Sequence, residues 1–305
     1  MKMVILDGYT TNPGDLSWDS FREEGKLVVY DRSSREEAIQ RMSDADAVWV
    51  NGVALDRKMI QKAKNLKYIG ILCTGYNHVD LESAQEQQIA VTNVPCYAED
   101  AVAQHTIALL LELTNQVGFH NMRVQQGAWS EKPDDCFWER PLSLLNGKTM
   151  GIVGYGAIGK NVARVAEAFG MKVVRYRENP EATIGADVVS LHCPLGEDNQ
   201  KMIDAEFLSK MKKDAFLINT ARGGLIDEDA LAEALKSGRI RGAAIDVLTV
   251  EPPKKEGNNP LMGLPNCIIT PHHAWVPLET REKLIAEALE NWKAYLRGQE
   301  RNRLV

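Results

Sequence analysis

The chain has 305 residues, of which 44% are hydrophobic and 26% charged, and its formal net charge is -6 at pH 7. These values are typical of a globular protein of about two domains, and they argue against nucleic acid as a partner. The N-terminal apolar run is too short for a signal peptide, and the most apolar segment, residues 107–113, is too short to span a membrane.

Five cysteines are scattered through the sequence without a CxxC pair. This usage indicates reduced thiols, so we expect a cytoplasmic protein with no membrane partner. No bound metal is expected.

The first ninety or so residues alternate short apolar runs with polar, helix-favouring ones. The predicted strands are MVILD, LVVY, AVWV, YIGIL and IAVTN. This alternation predicts βαβ units and therefore a parallel sheet with helices on its faces. A long helical run, over about 98–126, is expected to carry the chain into a second unit.

The second unit repeats the alternation, with predicted strands in TMGIVG, MKVVRY, DVVSLH, AFLINT, GAAIDV and CIIT. The last helix, over about 279–297, has no sheet of its own and is expected to fold back onto the first domain. The predicted fold class is therefore α/β, with two doubly wound, Rossmann-like domains, parallel sheets and a cleft between them. The substrate domain would comprise residues 1–97 and 276–305, and the dinucleotide-binding domain residues 98–275. The polar segment KKEGNNP, residues 254–260, is expected to form a surface loop.

A glycine-rich turn, VGYGAIGK, follows the first strand of the second unit. Gly154 would permit the tight turn, Gly156 the approach of the backbone to a pyrophosphate, and Gly159 close packing of helix and strand. The phosphates would then lie on the exposed amides at the helix N-terminus. The predicted cofactor-binding residues of this turn are Gly154, Tyr155, Gly156, Ala157, Ile158 and Gly159.

The end of the next strand, KVVRYR, carries Arg177 and is followed by Glu178. NAD-binding units of this type usually have an acidic residue here, which accepts hydrogen bonds from the ribose hydroxyls. Strand alternation would place Arg175 and Arg177 on the same face, toward the pocket. A guanidinium there can pair with a 2′-phosphate, so we expect both cofactors to be used and NADP to be preferred over NAD.

Three residues near the end of the chain supply the chemistry for reducing a 2-keto acid. Arg222, in NTARGG, can hold a carboxylate or keto oxygen without losing its charge. His272, in TPHHAW, can transfer a proton near neutral pH, and Glu251, in DVLTVEPP, can orient the imidazole.

These motifs, together with CTGYNHVD, HCPL and NTARGGLIDEDAL, resemble the D-isomer-specific 2-hydroxyacid dehydrogenases over nearly the whole chain, and most closely the glycerate dehydrogenase/hydroxypyruvate reductase branch. The resemblance implies that the protein reduces small 2-keto acids such as hydroxypyruvate or glyoxylate. It implies Arg222 as the substrate clamp and His272, supported by Glu251, as the proton donor. It also favours His272 over the adjacent His273, because the family's active imidazole directly follows proline.

Further roles follow only from the resemblance. The cofactor contacts it implies are Asp246, Cys193, Pro194, Thr220, Ala221 and Thr106, with helix packing an equally good explanation of Thr106. The substrate contacts it implies are Asn51, Thr74, Gly75 and Trp138, in addition to Arg222. The segment 129–138 would be part of a dimer arm, which predicts a homodimer in which Trp138 closes the pocket of the other subunit.

The resemblance is incomplete at the adenosine end of the cofactor pocket. The family usually has aspartate where this chain has Arg177, and an extra strand and helix where only ENPEATIGA separates Arg177 from Asp187. One alternative function is therefore a nucleotide-sensing regulator on the same scaffold with little turnover, although such a sensor needs no proton donor. A second alternative, an L-specific hydroxyacid dehydrogenase, would carry its glycine turn near the N-terminus, whereas about 150 residues precede it here.

Overall fold

A computed structural model of the chain describes residues 1–254 and 259–305, so part of the predicted surface loop 254–260 lies outside the described residues. The chain divides into two compact units. Unit 1 comprises Met1–Ala98 and Val276–Val305, and unit 2 comprises Glu99–Trp275.

The elements follow one another in the alternation that the sequence predicts. Those of unit 1 are β1 (Lys2–Ile5), α1 (Asp19–Arg22), β2 (Lys26–Val29), α2 (Arg35–Met42), β3 (Ala47–Val50), α3 (Arg57–Lys62), β4 (Tyr68–Ile71), α4 (Leu81–Glu86) and β5 (Ala90–Thr92). Those of unit 2 are α5 (Glu99–Asn115), α6 (Val117–Gln125), β6 (Thr149–Val153), α7 (Ala157–Ala168), β7 (Lys172–Arg175), α8 (Pro180–Ile184), β8 (Val188–Leu191), α9 (Ala205–Lys210), β9 (Phe216–Asn219), α10 (Glu228–Lys236), β10 (Gly242–Ile245) and β11 (Cys267–Ile269). The helix α11 (Leu278–Leu296) returns to unit 1.

Unit 1 contains a five-stranded parallel sheet in the order β2-β1-β3-β4-β5. Every residue of β3 and β4 is buried, as expected for central strands of a parallel sheet with helices on both faces. In register, Val48 of β3 lies between Val4 of β1 and Ile69 of β4. These alternate apolar side chains form one of the unit's two core layers.

The other face of this sheet is covered by aromatic side chains that attach α11. Trp292 of α11 packs edge-on against Trp49 of β3 and Tyr68 of β4, with ring centroids 5.4 and 4.9 Å apart. Gly70 makes room for the cluster, because a Cβ at that position would lie 2.3 Å from the Trp49 indole. The structure thus confirms that the last helix packs on the first sheet.

Unit 2 contains a six-stranded parallel sheet in the order β11-β10-β9-β8-β6-β7. Strand order reverses at β6, whose neighbours are β7 on one side and β8 on the other. In open α/β sheets, ligands bind beyond the carboxyl ends of the strands at such a reversal. The glycine turn follows β6 directly and so lies at this point.

The segment between β7 and β8 is as short as the sequence indicates. It holds only the five-residue α8, whose first turn is capped by the Asn179 side chain accepting from the Ala182 N–H at 3.0 Å. As a result β7 pairs with β6 alone, and the two sheet edges formed by described residues are β7 and β11.

The prediction of one continuous helix over 98–126 was wrong, because α5 and α6 are separated by Gln116 in the left-handed conformation (φ 51°). The break has a local cause. The Gly118 N–H of α6 donates to the side-chain carboxylate of Glu112 in α5 at 3.1 Å. Such side-chain hydrogen bonds to the backbone compete with continuation of a helix.

Within the described part of the chain, we find no helix that combines the length and apolarity needed to cross a bilayer.

Candidate functional site

The glycine turn between β6 and α7 leaves its backbone open at the helix N-terminus. Gly154 has a φ of +95°, and a Cβ there would lie 2.4 Å from the Cys193 nitrogen. A Cβ at Gly159 would lie 2.2 Å from Gly154 O, so the helix can approach the turn only because that position is glycine. Gly156, the N-cap of α7, has no other atom within 4 Å of its Cβ position. An uncovered helix N-terminus of this kind fits a pyrophosphate.

A cavity of 570 Å³ opens beside this turn. It is bounded by the carboxyl end of β6, by the end of β7 and by the loop after β8. Its lining residues include Gly154, Tyr155, Arg175, Arg177, Glu178 and Cys193. Its position and polar rim fit the adenosine part of a dinucleotide.

Strand β7 ends at Arg175, and this corrects the prediction that Arg175 and Arg177 share a strand face. The Glu178 N–H donates to Arg175 O at 3.1 Å, so the chain turns immediately and alternation does not extend to Arg177. Arg175 stacks over the Tyr155 ring at 4.0 Å and pairs with the Glu178 carboxylate at 2.7 Å. Hydrogen bonding to Glu178 raises the pKa of Arg175 above its ordinary value.

The two basic residues therefore differ in availability. Arg175 is already paired, whereas the exposed Arg177 guanidinium makes no hydrogen bond or ion pair with any residue that the structure describes. Both border the cavity. Arg177 is thus the cation there that is free to meet a ligand's negative charge.

His272 and Glu251 are in direct contact, as the sequence predicts. His272 Nδ1 lies 2.6 Å from Glu251 Oε2, and the second carboxylate oxygen accepts from the Leu248 N–H at 2.7 Å. Because Nδ1 is engaged, Nε2 is the ring nitrogen left to meet a substrate. The imidazole side chain is 45% exposed, so a substrate can reach it.

The turn that carries His272 is held by Asp246, the residue after β10. The Asp246 carboxylate accepts from Thr270 Oγ1 at 2.6 Å and from the N–H groups of His273 and Ala274 at 3.1 Å each. Its carbonyl oxygen accepts from the His272 N–H at 2.8 Å. His272 has a φ of 51°, a conformation that costs a non-glycine residue free energy and persists only with such support.

Burial favours a higher pKa for Asp246, but hydrogen bonds from His105, Thr270 and the two backbone amides outweigh it and lower the pKa. The carboxylate is therefore ionised and is hydrogen-bonded within the protein. Its predicted contact with the nicotinamide carboxamide remains a prediction.

Arg222 follows β9 and projects from a well-fixed loop. Asn219 holds the loop from both sides, since its side chain donates to Arg222 O at 2.9 Å and accepts from the Ala221 N–H at 3.0 Å. Gly223 lies against the loop that carries Glu251, because a Cβ there would be 2.1 Å from the Leu248 carbonyl carbon. The Arg222 side chain is exposed, and it forms no ion pair with any described residue.

Residues predicted to bind substrate in unit 1 lie on adjacent loops at the carboxyl ends of β3 and β4. The Asn51 side chain donates to Leu72 O at 2.7 Å. The Thr74 hydroxyl donates to Val94 O at 2.9 Å, which anchors the loop of Thr74 and Gly75. Within the described chain, the backbone N–H groups of Gly75 and Tyr76 have no protein acceptor, as a carboxylate-binding loop requires.

Thr106 and Thr220 meet inside unit 2, with their hydroxyls 3.0 Å apart. Thr106 is fully buried and also donates to Val102 O at 2.8 Å, so its hydroxyl is occupied by the protein. Cys193, beside Gly154, has its thiol pKa raised by burial. Pro194 is exposed, and Trp138 is 65% exposed in the segment between α6 and β6.

Two residues, one in each unit, contact predicted site residues and were not identified from the sequence. Asp7 accepts from the N–H groups of Asn51, Gly52 and Val53 at 2.8, 2.6 and 2.7 Å, and so fixes the loop after β3. His105 on α5 lies 3.5 Å from Asp246. Asp7 comes shortly after β1, which pairs with β3, so the sequence could have indicated that Asp7 lies near the loop after β3. No sequence pattern indicates that His105 contacts Asp246.

The chain is similar to a known protein family, to several named enzymes and to solved structures. The family model described as D-isomer specific 2-hydroxyacid dehydrogenase, NAD binding domain, matches residues 107–274. A hydroxypyruvate reductase of Blautia hydrogenotrophica is 44% identical, with 98% of each chain covered, and a glycerate dehydrogenase of Methylorubrum extorquens is 38% identical, with 88% of each covered. Among solved structures, an acyclic imino acid reductase in complex with NADPH and D-Arg superposes with a TM-score of 0.86 over 100% of each chain, at 34% identity.

His192, directly after β8, is expected to make the folded protein sensitive to acid. Its Nε2 lies 2.9 Å from Ser190 Oγ, its Nδ1 is buried without a partner among the described residues, and burial lowers its pKa from 6.5 to about 3. Below pH 6.5 His192 takes up a proton in the unfolded chain, whereas in the folded chain it stays neutral down to about pH 3. The contribution of His192 to the free energy of unfolding is therefore fully present above pH 6.5 and is lost as the pH falls. At pH 5 the loss amounts to about 2 kcal/mol.

The substitution His192→Gln, which cannot be protonated, should remove this part of the acid sensitivity. Urea unfolding of both proteins at pH 7 and pH 5 measures it. An equal drop in the free energy of unfolding for the two proteins would contradict the assignment to His192.

Proposed function

The chain belongs to the D-isomer specific 2-hydroxyacid dehydrogenase family, and we propose that it reduces small 2-keto acids, hydroxypyruvate and glyoxylate first, to the corresponding 2-hydroxy acids, with the D configuration where a stereocentre forms. It is an oxidoreductase that uses a pyridine nucleotide. The observation that carries the proposal is the contact of 2.6 Å between His272 Nδ1 and Glu251. It leaves Nε2 of an accessible, carboxylate-supported imidazole as the proton donor.

When bound, a reduced nicotinamide supplies the hydride. The Gly154–Gly159 turn would hold its pyrophosphate on the backbone amides at the N-terminus of α7. His272 would deliver a proton from Nε2 to the carbonyl oxygen of the substrate, and Glu251 would stabilise and orient the imidazolium before transfer. In the oxidative direction the same nitrogen would accept the proton.

Arg222 would bind the carboxylate and keto oxygen of the substrate. Its exposed fork keeps N–H groups available, and its loop is fixed by Asn219. In unit 1, which we propose as the substrate domain, the amides of Gly75 and Tyr76 would bind a carboxylate, and Asn51 lies on the adjacent loop. Asp7, which holds the backbone of Asn51, would act as a positioning residue.

Small substrates are favoured by the relatives, which include a glyoxylate reductase of Thermofilum pendens at 35% identity besides those described above. A purely nucleotide-sensing role is not favoured, because a sensor has no use for the proton donor formed by His272 and Glu251. A cytoplasmic location is supported by the cysteine usage.

The proposal predicts turnover with a defined stereochemical outcome. Purified protein incubated with NADH or NADPH should reduce hydroxypyruvate and glyoxylate faster than bulky aromatic 2-keto acids, and glycerate formed from hydroxypyruvate should be the D-isomer. Oxidation of the reduced cofactor at 340 nm and chiral chromatography of the product measure this. Turnover only of L-isomers in the reverse direction, or none with either cofactor, would refute it.

We propose that NADPH is preferred over NADH. The exposed Arg177 on the cavity at the end of β7 can pair with a 2′-phosphate, and the family's repelling aspartate is absent from that position. Glu178, which borders the same cavity, pairs with Arg175 at 2.7 Å, and this lowers its repulsion of a phosphate. The similar imino acid reductase structure holds NADPH.

This preference is tested by Arg177→Asp. We expect kcat/KM for NADPH over NADH to exceed one in the native protein and to fall by about tenfold or more in the variant, because a charge-assisted pair of this kind contributes about 1.5–3 kcal/mol. Arg164→Asp, on the exposed side of α7, is the matched control and should leave the ratio unchanged. A native ratio below one that Arg177→Asp does not alter would show Arg177 to be a solvated charge.

We also propose a homodimer, because large apolar side chains in the segment from α6 to β6 are exposed to solvent in the single chain. The exposed fractions are 66% for Val117, 65% for Trp138 and 75% for Leu144, and Met122, Trp129 and Leu142 are also exposed. Apolar residues concentrated in this way usually mark an interface.

Light scattering over a dilution series should give twice the chain mass of 34.0 kDa. Trp138→Ser together with Leu144→Ser should shift the population toward the monomer, whereas a scattering mass of 34.0 kDa at every concentration would exclude the dimer.

A further inference from the structure

Beside the catalytic turn lies a cluster of three potential metal ligands, His105, Asp246 and His273. One ligand atom from each lies within 4.8 Å of the other two. His105 Nε2 and Asp246 Oδ1 are 3.5 Å apart, and the two imidazole rings meet edge to face with centroids 4.8 Å apart. The residues come from α5, from the end of β10 and from the turn after β11, and all belong to unit 2.

We propose that this cluster is a binding site for a borderline divalent cation, Zn²⁺ in particular. Two imidazoles and one carboxylate are a ligand set that Zn²⁺ accepts, with water completing the coordination. Nitrogen and oxygen ligands lie about 2.0–2.2 Å from Zn²⁺, so ligand atoms around one ion are about 3.3–3.6 Å apart. His105 and Asp246 already have this spacing.

The third ligand has the freedom to complete the site. His273 is exposed, so its ring can approach the other two ligands by the short distance required without disturbing a packed core. The His105 side chain is 17% exposed and that of Asp246 is 1% exposed, which places the ion in a shielded position where its attraction to the carboxylate is strong.

The surroundings of Asp246 also resemble those of a metal ligand. Its oxygens accept from Thr270 Oγ1 and from the amides of His273 and Ala274, and hydrogen bonds of this kind fix ligating carboxylates in metal sites. The neighbouring pair of Glu251 and His272 is separate, because His272 Nδ1 is already bound to the Glu251 carboxylate.

An ion at this site would act as an inhibitor of the reaction, a consequence that rests on the proposed function. The ion would coordinate the Asp246 carboxylate, whose hydrogen bonds support the turn holding His272. It would also restrict the motion of His273, the next residue. The site thus gives the protein a means of responding to free zinc.

Binding is measured first, without reference to turnover. Isothermal titration of the metal-free, full-length protein with Zn²⁺ should show one site per chain, and Co²⁺ should give the visible absorption of a low-symmetry nitrogen and oxygen site. His273→Asn and His105→Asn should each weaken Zn²⁺ binding by about tenfold or more, since even outer-shell changes cost about 10–100-fold. His273 is exposed, so His273→Asn should fold even if His105→Asn does not.

His120→Asn, a histidine change on α6 outside the cluster, is the matched control and should bind Zn²⁺ like the native protein. Unchanged affinity in His273→Asn, no binding by native protein, or a cobalt spectrum dominated by thiolate charge transfer would overturn the site. If Zn²⁺ binds but does not slow reduction of 2-keto acids, the inhibitory consequence is wrong. If the zinc-free protein turns over no 2-keto acid, the proposed function fails while the site stands.

Discussion

The hydrogen bonds around the Asp246 carboxylate hold in place the turn that carries His272, the proposed proton donor. Asp246 directly follows β10, the strand next to β11, and it binds the turn after β11 through Thr270, His273 and Ala274. This turn is what keeps His272 in a left-handed conformation and directs its ring to Glu251. A buried carboxylate is costly unless it is fully hydrogen-bonded, and here the bonds that satisfy it are the same bonds that shape the turn.

A second constraint, steric rather than electrostatic, shapes the cofactor side. The glycine turn approaches the backbone of Cys193 so closely that Gly154 admits no side chain, and Gly159 lets α7 start against it. The glycine turn after β6 and the turn after β11 that carries His272 both lie at carboxyl ends of strands in one parallel sheet. The proposed phosphate-binding turn and the proposed proton donor are therefore on the same edge of one sheet, which suits a reaction needing hydride and proton to be delivered to one bond.

Much of this arrangement could be predicted from the sequence, because it depends on local pattern. Apolar runs of strand length with polar helices between them predicted the two parallel sheets, and the glycine pattern predicted the tight turn between β6 and α7. The order of Arg222, Glu251 and His272 gave the family, and the contact between His272 and Glu251 agrees with it. The short segment between Arg177 and Asp187 predicted the missing strand beside β7.

The features that the sequence did not predict depend on where strands and helices end. β7 ends at Arg175 rather than two residues later, so Arg177 borders the cavity from a turn and not from a shared strand face. Gln116 breaks a helix that the composition of the segment would continue. The contact of His105 with Asp246 joins residues that are far apart in the sequence, and no local pattern encodes it.

The identity of the proton donor is tested most directly by comparing kcat for 2-keto acid reduction in His272→Asn and His273→Asn. Asparagine tolerates the left-handed conformation of residue 272, so the turn should survive while the proton donor is lost. His272→Asn should lower kcat by about 10²–10⁴-fold, as expected for loss of a general acid, and His273→Asn should stay within a few-fold of the native value. A severe loss in His273→Asn with His272→Asn nearly unaffected would contradict the assignment of His272 as the proton donor.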